Sequence, residues 1–361
     1  MFTMFTRPVA SLFVASLITV LVAGCAGSGS SVAPSLPTSA PPVAASGAAA
    51  TSAPPIAPTD APEVTGTITL YSTVTAATVE AVVAGYQAAH PGVKVDLFRA
   101  PTGEVTARIA AEQRSGGVKA DLFWLSDPLS VQQYDADGLL AAYTPADAAT
   151  LAPGDQAPTY TGTRLLSMVI VAGADLAPAP ADWSDLTAPS LVDAVAIPDP
   201  GFAGSAFGLL GHFAQDPAYG FGFYERLKDN GAVMVKSPDE VTTGVAEGRF
   251  KAGITLDFSA RSAIAKGSPV QLVWPTSGSV TMASPIAALA ASDNAAAARS
   301  FIDFVLSDEG QSRIAETGWQ PARPEIAGGP PIEGLQVRPD FAAAFGRQDE
   351  LLADFRAIFG E

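Results

Sequence analysis

Little in this chain supports covalent chemistry. Cys25 is the only cysteine in 361 residues, so an intrachain disulfide and a multi-thiolate zinc site are both excluded. Histidine is nearly as scarce. His90 sits at a helix end before a proline and His212 lies among apolar helical neighbours, so both read as structural. No Gly-x-Ser-x-Gly elbow, Walker loop or paired-histidine motif occurs, which leaves hydrolase, nucleotidase and zinc-enzyme readings without a first residue. Carboxylate pairs would still suit glycosidase chemistry, but their spacing does not separate catalytic from surface acids. Cations are also few. With 20 basic against 36 acidic residues the net charge is -16, and nucleic acid is excluded as a partner because phosphate binding needs clustered cations.

The chain also lacks a run apolar and long enough to span a bilayer, which takes roughly 20 residues. The uncharged segment Val9 to Gly24 follows the cation Arg7 and ends at Val22-Ala23-Gly24-Cys25. Small residues before a lone cysteine predict an export signal over 1–24 with a lipobox, and Cys25 as the lipidated N-terminus. A cleaved secretory peptide with an incidental cysteine is the alternative. Once Cys25 is lipidated, no thiol is left to act as a nucleophile. Residues 25–62 are almost entirely Ala, Ser, Pro, Gly, Thr and Val with one charge, Asp60, and read as a disordered tether.

The body that follows, of about 300 residues, suits two α/β lobes. Alternating strands and helices call for a largely parallel sheet flanked by helices. Strands are read at Thr67–Tyr71, Val93–Phe98, Ala120–Leu125, Leu165–Val171, Ala252–Leu256 and Val270–Trp274. Val79, Val82, Val83 and Tyr86 recur at helical spacing, and Ser237-Pro238-Asp239-Glu240 is a capped helix start. A first crossing between lobes is placed near 165–171 and a return between Val280 and Leu289. The expected division is 63–165 with 283–361 as one lobe and 166–282 as the other.

Small polar residues gather where strands end and helices begin, the position where open α/β sheets bind ligands against unpaired helix N–H groups. Such turns are Ser72, Thr73 and Thr75; Thr102, Gly103 and Glu104; Ser126 and Asp127; Gly204, Ser205 and Ala206; and Asp257 with Phe258. Each taken alone is also an ordinary helix cap. Gly204 admits close backbone approach and Ser205 adds a hydroxyl, so that turn reads as an anion cradle. Asp127 and Asp257 are candidates to face a ligand, or else solvent-exposed strand ends. Arg261 either supplies charge to an anion or sits on a solvated helix face.

Ile68-Thr69-Leu70-Tyr71-Ser72, Ala120-Asp121-Leu122-Phe123-Trp124, Pro198 to Ala206 and Phe301 to Gln320 together resemble family 1 extracellular solute-binding proteins of ABC importers. The similarity extends to the ferric-ion and 2-aminoethylphosphonate branch, including Gly318-Trp319-Gln320-Pro321-Ala322-Arg323. The resemblance implies a two-lobe type II periplasmic-binding-protein fold with lobes joined by crossing strands. It further implies a monomeric, non-enzymatic receptor without cofactor, which hands its solute to a permease and its ATPase. The ferric ligands of that branch do not carry over, since Thr75 stands at its histidine and Asp257-Phe258 at its tyrosines. Gly204-Ser205-Ala206 matches its anion segment, and Thr102-Gly103-Glu104 its Ser/Thr-Gly-Glu turn. The expected ligand is therefore a small anion or zwitterion, a phosphonate or phosphate ester such as 2-aminoethylphosphonate, captured at the extracytoplasmic face of the membrane, with Asp127 and Asp257 expected to meet an ammonium group on its other end. Iron, free or chelated, is the alternative cargo; a lipid-anchored hydrolase or a sensor lipoprotein is the alternative class.

Overall fold

The computed structural model describes residues 64–360; the signal segment, Cys25 and the tether lie outside the described residues. Strand β1 (Gly66–Ser72) turns Ile68 and Leu70 into the core. Helix α1 (Ala76–Ala89) follows and buries Val79, Val82 and Tyr86, one stripe at helical spacing. It ends at His90, where the following Pro91 disfavours a further helical turn. Strand β2 (Val93–Arg99) pairs parallel with β1, and α2 (Thr102–Arg114) buries Val105 and Ile109. Strand β3 (Leu122–Trp124) lies parallel on the other side of β1. Helix α3 (Pro128–Ala136) starts sharply, with Pro128 in its first turn and Asp127 Oδ1 accepting the Ser130 N–H at 2.7 Å.

Strand β4 (Thr161–Gly173) is buried along its whole length. Beyond it come β5 (Val195–Pro198), α4 (Gly204–Phe213), α5 (Gly220–Asp229) and β6 (Val233–Val235). Helix α6 (Pro238–Ala246) has the expected cap, Ser237 Oγ accepting the Glu240 N–H at 3.2 Å. The chain continues through β7 (Ala252–Leu256), α7 (Asp257–Ala265), β8 (Val270–Val273) and β9 (Ser279–Ala288). It closes with α8 (Ala295–Leu306), α9 (Asp308–Glu316), the short strands β10 (Gln320–Pro321) and β11 (Gln336–Val337), and α10 (Gln348–Phe359).

The main sheet runs β2-β1-β3-β9-β4-β7-β5-β6. Its flanks are parallel, as βαβ crossovers require, but β3–β9, β9–β4 and β4–β7 are antiparallel. The sheet is thus less parallel than the sequence suggested. The chain returns through its centre on long strands, and such a return does not need a crossover helix. One end of β4 pairs with β9 over Thr161–Met168, and its other end pairs with β7 over Met168–Ala172. Strands β4 and β9 therefore join the two halves of this two-lobe fold. Helix α4, after β5 on one half, brings its N-terminus against α2 and α3 of the other.

Candidate functional site

The loops at the strand ends of both halves enclose a cavity of about 330 Å³. From the first half it receives Thr73 and Thr75 after β1, Thr102 and Glu104 at the start of α2, and Ser126 after β3. The second half adds Gly204 and Ser205 at the α4 N-terminus and Phe258 in α7. These eight were among the residues singled out from the sequence. The strands deliver them together because each follows a strand and opens or precedes a helix.

Two of these contacts tie the halves together. Thr102 Oγ1 accepts the Gly204 N–H at 3.1 Å, so the first orphan donor of α4 is satisfied from the opposite side. Gly103 sits where a Cβ would meet the Gly201 carbonyl at 2.5 Å, a backbone approach that only glycine permits. Gly103 therefore packs the halves against each other and does not line the cavity. Thr73 Oγ1 and Ser126 Oγ share a hydrogen bond of 2.8 Å at one end of the floor.

The remaining expected residues lie outside the lining. Ser72 is buried, donating to the Trp124 carbonyl at 3.0 Å and accepting the Val74 N–H at 3.1 Å, and so holds the β1 turn. Ala206 packs inside α4. Asp127 is wholly buried beneath Gly204, and its Oδ2 has no hydrogen-bond partner; burial pushes its carboxyl up to about 6. Asp257 is also buried rather than a solvent-exposed strand end. It forms an ion pair one helical turn away with Arg261 and accepts the Ser167 N–H at 3.4 Å. Burial raises its carboxyl from the ordinary value, against the lowering effect of Arg261. Arg261 is thus neutralised within α7, as the i,i+4 spacing of the pair permits.

Three cations border the cavity that the sequence reading did not identify: Arg99 at the end of β2, Arg164 in β4 and Lys236 before α6. Among the described residues none of the three has an ion-pair partner. Arg99 and Lys236 are exposed; Arg164 is 1 % exposed. Its Nε and Nη1 are buried without hydrogen-bond partners, and its guanidinium lies over the Trp319 ring, 3.9 Å from the centroid. Burial first, then the repulsion of Arg99, pull its guanidinium down to about 9, while the charge of Asp257 acts in the opposite sense. Trp319 is itself fixed. It donates to Thr75 Oγ1 at 3.2 Å and stacks on Phe258 with centroids 4.2 Å apart and planes 9° apart. One signal in the sequence pointed here: a single arginine at the start of an apolar strand run has to find an anion or bear a large desolvation penalty.

A buried fork of donors, neutral hydroxyls and a helix N-terminus can hold an anion, and neither histidine lines the cavity. Glu104, Asp239 and Glu240 are exposed and line the same cavity as the exposed Arg99 and Lys236.

Comparison with known proteins places the fold and the family. A family model for bacterial extracellular solute-binding proteins matches residues 68–320. An uncharacterized protein of Haemophilus influenzae is 27% identical over 245 residues, covering 63% of this chain and 68% of that one. The periplasmic binding protein AfuA from Actinobacillus pleuropneumoniae, solved with exogenous fructose-6-phosphate bound, superposes with a TM-score of 0.69 at 20% identity, over 81% of this chain and 98% of that one. Iron-bound HitA from Pseudomonas aeruginosa gives 0.71 at 20% identity, over 81% and 99%. Among the described residues no helix is long and apolar enough to cross a membrane. With cleft, fold and family model in agreement, the chain belongs to the bacterial extracellular solute-binding proteins, which serve ABC importers.

Proposed function

We propose that this chain captures a small solute carrying a phosphate or phosphonate group and presents it to an ABC permease. Arg164 carries the reading. A fully buried guanidinium with unpartnered N–H groups at the wall of a cavity bears a desolvation penalty that a bound anion would relieve. Ser205, Thr102 and the α4 N-terminus surround the same space, and Phe258 bounds it as part of the Trp319 stack. An ammonium or hydroxyl-bearing tail would meet Glu104 or Asp239 at the rim, a role first expected of Asp127 and Asp257. The fructose-6-phosphate held by AfuA is a phosphate ester, which is consistent with this class.

Cys25 would anchor the mature chain by lipid at the extracytoplasmic face, with residues 25–62 as tether. The lobes would be 63–165 with 283–361, and 166–282, working as a monomer. Binding then proceeds by population shift: a ligand touching both halves stabilises the closed form, which the permease recognises. HitA motivates ferric ion as a second cargo. Among the described residues no group of three His, Cys, Asp or Glu side chains is placed to hold an ion, so iron would have to arrive with a chelating anion.

Thermal-shift measurements on the full chain with fructose 6-phosphate, 2-aminoethylphosphonate, inorganic phosphate and ferric citrate test the reading. A rise of several degrees with a phosphorus compound is the expected result. A rise with ferric citrate alone, or with none of the four, overturns it.

A further inference from the structure

Among the described residues, Asp127 is the one buried carboxylate with an oxygen that has no hydrogen-bond partner. Its Oδ1 caps α3 through the Ser130 N–H, while Oδ2 points to where α4 arrives from the other half. A Cβ on Gly204 would lie 2.7 Å from that oxygen and 2.9 Å from Thr102 Oγ1, so Gly204 is the cover that keeps water from it. The Thr102–Gly204 hydrogen bond latches this cover. We propose that Asp127 couples closure of the cleft to proton uptake: the carboxylate is hydrated while the halves are apart and must be desolvated, or protonated, when α4 seats on it.

The surroundings offer no charge to compensate. On α3 it receives only the N–H groups of Leu129 and Ser130, together with the Ser130 hydroxyl. From α2 and α4 it meets the neutral Thr102 and Gly204. The titratable group that feels its charge is Tyr134 on α3, whose phenol burial pushes up to about 12 and which stays neutral throughout the range. Glu104, in the first turn of α2 with Thr102, is exposed and lines the cavity, so it brings no compensating positive charge. Arg164, Arg99 and Lys236 border the cavity, and none of them pairs with Asp127.

The sign follows from linkage. The seated carboxyl titrates at about 6 and a hydrated one near its ordinary value of about 3.9, so between these limits closing takes up a proton. At pH 8 both forms are ionised and closure bears the whole desolvation penalty; at pH 5 the seated form is protonated. The closed-to-open ratio is expected to rise about tenfold over that interval.

The test needs no ligand, so it can fail while the phosphate reading stands, and the reverse. Small-angle scattering of the ligand-free full chain at pH 5 and pH 8 is expected to show the more compact particle at pH 5. Asp127→Asn, which keeps the helix cap, is expected to be compact at both. Carbon-13 labelling of aspartate reads the wild-type protein directly and does not depend on the variant folding: one carboxyl titrating near 6, absent in the variant, is expected. Equal dimensions at the two pH values, the same change in the variant, or no carboxyl titrating above 5 overturns the proposal.

Discussion

The guanidinium of Arg164 rests on the indole of Trp319 at 3.9 Å, and that indole in turn stacks on Phe258. This aromatic platform positions a cation that no carboxylate neutralises by contact. On the proposed reading this interior charge serves ligand binding at a cost in the stability of the fold.

Replacing Arg164 with methionine separates those two effects. The fold is expected to gain about 1–3 kcal/mol in chemical denaturation, since a buried uncompensated cation gives way to an apolar side chain of similar length. The thermal shift with phosphorus compounds is expected to disappear in the same variant. A destabilised variant that still binds would show that Arg164 serves packing alone.

Ser205 lines the cavity at the first turn of α4. Ser205→Trp is expected to fill the space an anion would take and abolish ligand-induced stabilisation. The melting temperature measured with and without fructose 6-phosphate checks it. A preserved shift would remove the anion role from this turn.

Thr102→Val keeps the shape of the side chain and deletes the acceptor for the Gly204 N–H. A hydrogen bond of about 1 kcal/mol present only when the halves meet corresponds to roughly fivefold weaker ligand binding, which calorimetry measures. Gly204→Ala acts at the same seam by crowding Asp127 Oδ2 and Thr102 Oγ1. It is expected to cost about 1–3 kcal/mol of stability through overpacking.

Asp127 also sets a pH dependence of stability. Its folded carboxyl lies near 6, above the unfolded value of about 3.9, so its contribution is fully present below pH 4 and is lost as pH rises through 6. Asp127→Asn is therefore expected to match the wild type near pH 4 and to exceed it at pH 8 by up to about 3 kcal/mol. Denaturant titrations at the two pH values measure the difference. A constant gap between the proteins would assign the effect to something other than titration.

Local order was legible from residues near each other in the chain. The β1 and β2 alternation, the α1 stripe and the Ser237 and Asp127 caps follow from side-chain periods and from hydrogen bonds spanning three residues. The turns that line the cavity followed as well, because they sit at the ends of those elements. Arg164 did not. Inside β4 it looks like the polar start of an apolar strand, and its isolation becomes visible only once β9 and Trp319 have closed around it. Asp127 and Asp257 show the converse: strand-end carboxylates that the sequence offered to a ligand are covered by α4 or paired within α7.

The amino-acid sequence by itself determined the elements and their caps, because backbone periodicity and capping act over a few residues, and the resemblance of its motifs carried the family. Tertiary structure alone decided which charges are left without partners, because a side chain's solvation and companions depend on segments far away in the chain. Thr102 and Gly204 bond to each other from 102 positions apart, and whether a carboxylate or guanidinium between such segments meets water, a counter-ion or nothing is settled only when they pack.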